Sequence, residues 1–210
     1  MIEIKDTTLT AAGHTVFAGV SLTARDGQLT AVCGRAGSGK TLLLKGMAGL
    51  LPFDEGYVTI DGELLEPATA NFFRSRMAYV PQRLDVPGRM TVDELFGIFA
   101  ATHAAADRKV LRSRVADLWK PLLLDEELWG MAFSGLSASV ARRVLLSLAL
   151  AAPCSIVIAD EPTEGLAADE AEAVTSLLRE AAAGGCAVLV ATTDAAVEAL
   201  ADAKLVLQAC

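Results

Sequence analysis

Two short stretches carry residue types that could do chemistry together. The first is Gly34-Arg35-Ala36-Gly37-Ser38-Gly39-Lys40-Thr41, a match to G-x-x-x-x-G-K-[ST]. Glycines at these spacings let a backbone curl until its amides converge on a phosphate, and a following helix adds the positive end of its dipole. In such a loop the Lys40 ammonium would bridge the β- and γ-phosphates, and the Thr41 hydroxyl would ligate Mg2+. The second stretch is the apolar run Ser155-Ile156-Val157-Ile158-Ala159, closed by Asp160 and Glu161. Two carboxylates at the end of a buried strand are costly unless they face a cation or move a proton. Asp160 is expected to hold Mg2+, usually through water, and Glu161 to accept or orient the proton of an attacking water. Together they describe a site for a nucleoside triphosphate.

The elements that must position these groups lie around them. Leu29–Cys33 reads as an apolar strand feeding the loop, and Thr41–Leu50 as a helix stopped by Pro52. Upstream, Ile2–Thr10 and Val16–Ala24 read as strands, as does Tyr57–Ile60 before the turn dipeptide Asp61-Gly62. From Ser155 onward strand and helix alternate. Ser155–Ala159 is a strand, and Ala168–Ala182 a helix stopped by Gly184-Gly185. Ala187–Ala191 is the next strand, Ala195–Ala201 a short helix, and Lys204–Gln208 a last strand. Such alternation implies a parallel sheet with helices on its faces. Between the two chemical stretches, Thr91 to Leu128 is helical and Ala-rich, interrupted at Pro121, and reads as an inserted subdomain.

Composition narrows the function. The 210 residues are 53% hydrophobic but only 5% aromatic, which excludes disorder and provides ample core. With 26 acidic residues against 18 Lys plus Arg, the net charge of −8 gives nothing to displace counterions from nucleic acid. The uncharged stretch Val144–Ala159 falls short of the ~20 residues a bilayer span needs, and Pro153 breaks it. The start of the chain has no signal-peptide pattern, so a cytosolic chain is expected. Cys33, Cys154, Cys186 and Cys210 show no C-x-x-C spacing and read as buried free thiols. His14 and His103 are far apart and are not expected to bind metal.

Further residues point to a family. Tyr79-Val80-Pro81-Gln82 lies between the two sites, and Leu136-Ser137-Ala138-Ser139-Val140 with Ala141-Arg142-Arg143-Val144 precedes the second. With Asp160-Glu161-Pro162-Thr163, this order resembles the ATP-binding cassette (ABC) ATPases over essentially the whole chain. The resemblance implies an α/β P-loop NTPase (RecA-like) fold, with a mostly parallel sheet, an antiparallel β subdomain and an inserted α-helical subdomain. Residues 1–82 and 134–210 would form the nucleotide-binding core, and 83–133 the helical subdomain, of one cassette domain. Gln82 would touch Mg2+ and the attacking water and meet the transmembrane partner. Two cassettes would pair head to tail, as homodimer or heterodimer, so that Ser137 reaches the ATP bound by the other chain.

Several positions depart from the family pattern. Against L-S-G-G-Q the chain keeps Ser137, while Ala138, Ser139 and Val140 replace both glycines and the glutamine. Side chains there would crowd the backbone's approach to the γ-phosphate. Thr193 stands where the switch histidine belongs, at an expected cost of roughly 2.7–4 kcal/mol, by analogy with a lost oxyanion donor. The adenine-stacking aromatic falls on Ala11-Ala12-Gly13, the D-loop aspartate on Ala167, and Leu42 replaces a second hydroxyl after Thr41. The function implied is the ATP-binding subunit of a transporter, slowly hydrolysing ATP to drive a separate transmembrane permease subunit from the cytoplasmic face of the inner or cell membrane. The alternative is a regulatory cassette that binds ATP without significant turnover. A kinase or GTPase would leave Gln82 and the 136–163 block unexplained, and the chain has no N/T-K-x-D guanine motif.

Overall fold

The runs Leu29–Cys33, Ile156–Asp160 and Ala187–Thr192 lack the polar alternation of a half-buried strand because every residue in them is buried. The computed structural model describes residues 1–83, 86, 89–103 and 106–208. In chain order it begins with β1 (Ile2–Ala11), β2 (His14–Ala24), β3 (Leu29–Cys33), α1 (Lys40–Met47), β4 (Glu55–Ile60) and β5 (Glu63–Leu64). There follow α2 (Ala70–Arg74), β6 (Met77–Val80), α3 (Val92–Thr102), α4 (Arg108–Trp119) and α5 (Ala138–Ala151). The chain continues with β7 (Ile156–Asp160), α6 (Ala168–Ala183), β8 (Ala187–Thr192), α7 (Ala195–Ala199) and β9 (Ala203–Val206).

Strands β6-β7-β8-β3-β9 form a wholly parallel sheet. Strands β2-β1-β4-β5 form an antiparallel one. Side-chain alternation divides the parallel sheet between two cores. Ile156, Ile158, Leu189 and Ala191 pack with α1 and with Ile2, Ile4 and Ile60 of the antiparallel sheet. Val157, Ala159, Val188 and Val190 face the opposite way, into a core shared with α3 to α6. This is the α/β architecture expected, with parallel and antiparallel sheets and a helical insert. Because all five strands of the central sheet run the same way, the loops after Cys33, Val80, Asp160 and Thr192 leave from one edge.

Within the insert, Thr91 and Glu94 cap α3 reciprocally, and Asp107 caps α4 by accepting from the amides of Lys109 and Val110. Trp119 then stacks on Trp129 at 4.4 Å and donates from Nε1 to the Ser147 hydroxyl at 3.0 Å. That buried bond fastens the insert to α5.

Some boundaries differ from the sequence reading. Helix α1 ends at Met47, well before Pro52, because Gly49 at φ +66 turns the chain out of the helix. Strands β5 and β6 and helix α2 are too short for a periodic signature. The interruption at Pro121 begins after Trp119, and Leu123 takes φ +56 before a 3-10 turn at Glu126–Gly130. Helix α7 stops at Ala199, and β9 spans Ala203–Val206 and not Lys204–Gln208. Cys33 is a buried free thiol, whereas Cys154 and Cys186 are free but only partly buried; Cys210 lies outside the described residues.

Candidate functional site

Between β3 and α1 the chain turns so tightly that two glycines are obligatory. A Cβ on Gly34 would lie 2.5 Å from the Leu207 carbonyl oxygen, and Gly39, at φ +94, would put one 2.5 Å from Val16 Cγ1. Gly39 is the N-cap of α1, with no capping side chain and no acidic residue in the first turn. The first amides of α1 are therefore left for an anion. The Ser38 hydroxyl is buried in the loop without a hydrogen-bond partner.

Lys40 lies inside this turn and is almost fully buried. Its Nζ donates to the carbonyls of Gly34 at 3.0 Å and Arg35 at 3.3 Å, and sits 3.2 Å from Glu161 Oε1. The other carboxylate oxygen of Glu161 accepts from the Thr193 amide at 3.0 Å and the Thr193 hydroxyl at 3.2 Å. Glu161 thus links the start of α1 to the end of β8 from the end of β7, on a backbone held at φ +47, a conformation unusual outside glycine. Thr193, expected where a switch histidine would stand, holds the carboxylate here.

Asp160 is 1% exposed, and neither of its carboxylate oxygens closes a hydrogen bond. Burial pushes its carboxyl above the usual range. The Thr41 hydroxyl and Lys40 partly offset that rise, and the charge of Glu161 adds to it. A neighbour on β6, Tyr79, is pushed up to about 12 by burial and by Asp160. Gln82 follows β6; its Nε2 donates to Glu164 Oε2 at 3.0 Å, and Arg142 donates to the same oxygen at 3.0 Å.

A cavity of about 430 Å3 brings most of the expected residues together: Ala36, Gly37, Gly39, Lys40, Thr41 and Leu42, with Gln82 and Glu161 across from them. Gly34, Arg35 and Ser38 belong to the same turn, and Asp160 is buried beside Thr41 and Lys40. Ser137 is not part of this wall. It caps α5, its hydroxyl accepting from the Val140 amide at 3.2 Å. The Ser139 hydroxyl, expected to crowd an incoming phosphate, instead donates to Glu170 at 2.8 Å and accepts from Arg143 at 3.2 Å. Three residues of the site went unread in the sequence as site residues: Val16, Glu164 and Arg142. Val16 lines the cavity from β2, while Ala11-Ala12-Gly13, the segment expected to hold the stacking aromatic, lies at the tip of the β1–β2 hairpin, with Ala12-Gly13 as its turn. No local pattern marks Glu164 or Arg142, because their partners are brought to them only by the fold.

The ABC transporter family model matches residues 17–164. An ABC transporter ATP-binding/permease protein of Mycobacterium tuberculosis is 34% identical over 194 residues, covering 91% of this chain but only 22% of that protein. A manganese transport system ATP-binding protein of Listeria innocua is 32% identical over 182 residues, or 83% of this chain and 72% of the relative. Among solved structures, a dimeric bacterial ABC transporter cassette superposes with a TM-score of 0.87 at 25% identity, over 99% of this chain and 94% of that one.

Proposed function

Because the chain belongs to the ABC transporter family, as its ATP-binding ATPase part, we propose that it binds Mg-ATP in the 430 Å3 cavity and hydrolyses it to drive a separate transmembrane permease subunit. No helix among the described residues is long and apolar enough to cross a membrane, in keeping with work at its cytoplasmic face beside such a subunit. We read the working unit as a pair of cassettes, identical or not, with Ser137 and the start of α5 reaching the partner's nucleotide. Residues 83–133 form the helical subdomain, and nucleic acid is not a partner.

The observation that carries this reading is Glu161 held between Lys40 and Thr193, next to the unpartnered carboxylate of Asp160. These residues fit Mg2+ and a triphosphate. Asp160 offers two free anionic oxygens, the Ser38 hydroxyl is equally unpartnered, and the first amides of α1 after Gly39 have no capping side chain. Thr41, Gln82 and Asp160 would hold the cation, which when bound neutralises charge building on the phosphates. The loop from Gly34 to Gly39, with Lys40, Thr41 and Leu42, would seat the phosphates.

Lys40 is the pivot of the chemistry. With no phosphate present its ammonium is held by two carbonyls and Glu161. A polyanion competes for that charge. As Lys40 turns to it, Glu161 loses its cation and keeps only the two Thr193 donors on Oε2, which orient the freed Oε1 as a base for water. The regulatory alternative has no feature of its own to support it, since the base remains oriented despite the missing histidine. The test is direct. Lys40→Ala should abolish Mg-ATP binding by calorimetry, and Glu161→Gln should keep binding but lose steady-state phosphate release. Unchanged affinity in Lys40→Ala would sink the phosphate-loop assignment, and unchanged turnover in Glu161→Gln would sink the base.

A further inference from the structure

Glu164 separates two cavities. It lines the phosphate cavity on one side, and on the other a cleft of about 550 Å3 bounded by Pro81, Gln82, Phe133 and Arg142. At this wall three groups converge. Gln82 Nε2 donates to Glu164 Oε2 at 3.0 Å, Arg142 Nη2 donates to the same oxygen at 3.0 Å, and Arg142 Nη2 also reaches the Gln82 backbone carbonyl at 3.3 Å. The Arg142 side chain is only 10% exposed and its Nε is buried without a partner, so the desolvated guanidinium depends on these contacts. Glu164 is about half exposed and would be mobile alone; the buried arginine anchors it.

This arrangement decides which way the Gln82 amide faces. A carboxylate only accepts, so it must take the amide's NH2 end, and Oε1 is the atom left for the cavity that Gln82 lines. Oxygen, not nitrogen, is what a hard cation takes from an amide. We propose that Glu164, anchored by Arg142, is a positioning residue that turns the oxygen of Gln82 toward the bound nucleotide and its cation. The proposal rests on Gln82 acting at Mg-ATP, as argued above.

Hydrogen–deuterium exchange on the nucleotide-free and metal-free chain tests the contact itself. Glu164→Ala should speed exchange around Gln82 while exchange in β3, β7 and β8 stays that of wild type; the melting temperature should fall as the nearly buried Arg142 loses its partner. Unchanged exchange would overturn the proposal. The role is tested by the Mg2+ concentration for half-maximal ATP turnover. Outer residues that orient metal ligands are worth 10–100-fold, and for a half-exposed one the low end applies: a rise of about ten-fold in Glu164→Ala. Glu164→Gln, which keeps a carbonyl acceptor, should recover part of the loss. In a Gln82→Ala background the Glu164→Ala change should add nothing; additive effects would refute positioning through Gln82. Should Gln82→Ala itself leave turnover and its Mg2+ dependence unchanged, the role of Gln82 is what fails, and the exchange result alone then judges whether Glu164 holds it.

Discussion

Replacing Asp160 by Asn should stabilise the nucleotide-free chain while removing its response to Mg-ATP. The wild-type carboxylate is 1% exposed with no hydrogen bond to either oxygen, and an unsatisfied buried charge costs more than the roughly 1–3 kcal/mol of an unsatisfied neutral group. Asn keeps the shape and two unpaired polar atoms, so only the charge part returns. About 1.5 kcal/mol is reasonable, which in a chain this size raises the melting temperature by about 3–6 °C. The sign with pH follows from the raised carboxyl of Asp160. A group whose folded pKa exceeds its unfolded value of roughly 3.9 contributes most below that value, and the contribution is lost as pH rises through the folded pKa. Wild type should therefore lose ground to Asp160→Asn as pH is raised from the ordinary carboxylate range through the raised folded value. Saturating Mg-ATP reverses the order: at 100 Kd the wild type gains about 2.7 kcal/mol, and the variant loses the Mg2+-dependent share. Thermal melts across pH, with and without Mg-ATP, measure all of this. A variant that melts lower than wild type at pH 7.5 without ligand, or a pH slope identical in the two proteins, would refute the account of Asp160 as a buried charge waiting for a cation.

Arg143 is 3% exposed and donates to the carbonyls of Leu122 at 2.7 Å and Leu123 at 3.0 Å while pairing with Glu170 at 2.7 Å; Arg143→Met should cost about 3 kcal/mol in urea denaturation, by loss of a buried pair. Thr193→Val keeps the backbone donor to Glu161 but removes the hydroxyl one, so turnover should fall about ten-fold with ATP affinity unchanged, the measure being kcat against binding calorimetry. Gly39→Ala would drive a Cβ into Val16 at φ +94, and nucleotide binding should be lost in a filter assay although the chain still folds. With Val16 and no aromatic ring on the β2 side of the cavity to read the base, ATP and GTP should compete within about an order of magnitude, or about 1.4 kcal/mol.

What could be read from the sequence were features carried by contiguous residues. Lys40 and Thr41 stand in a glycine pattern, Asp160 and Glu161 end an apolar run, and β3, β7 and β8 announce their burial on both faces by having no polar alternation. Strand β6 escaped notice because four residues after Arg74 and Arg76 are too few to show a period. The end of α1 was misplaced because proline is the louder breaker, whereas the dihedral of Gly49 makes the turn. The site's fine structure lies in pairs far apart in the chain, such as Gln82 with Glu164 or Ser139 with Glu170. Substitutions in the signature segment looked like damage for the same reason. Ser139 departs from glycine, yet its hydroxyl joins Arg143 and Glu170 in a bond network that ties α5 to the start of α6.

The stacked indoles give the chain a native optical probe. Its two tryptophans, Trp119 and Trp129, lie 4.4 Å apart within the helical insert, with the Arg112 guanidinium 4.1 Å from the Trp129 ring centre. The nucleotide cavity has no indole among its walls. Emission excited at 295 nm, about the indole band edge, therefore arises from the insert alone and is tied to α5 through the Trp119–Ser147 bond. A change of intensity on adding ATP would be a displacement signal transmitted from the phosphate loop to the insert, read in stopped flow without any label.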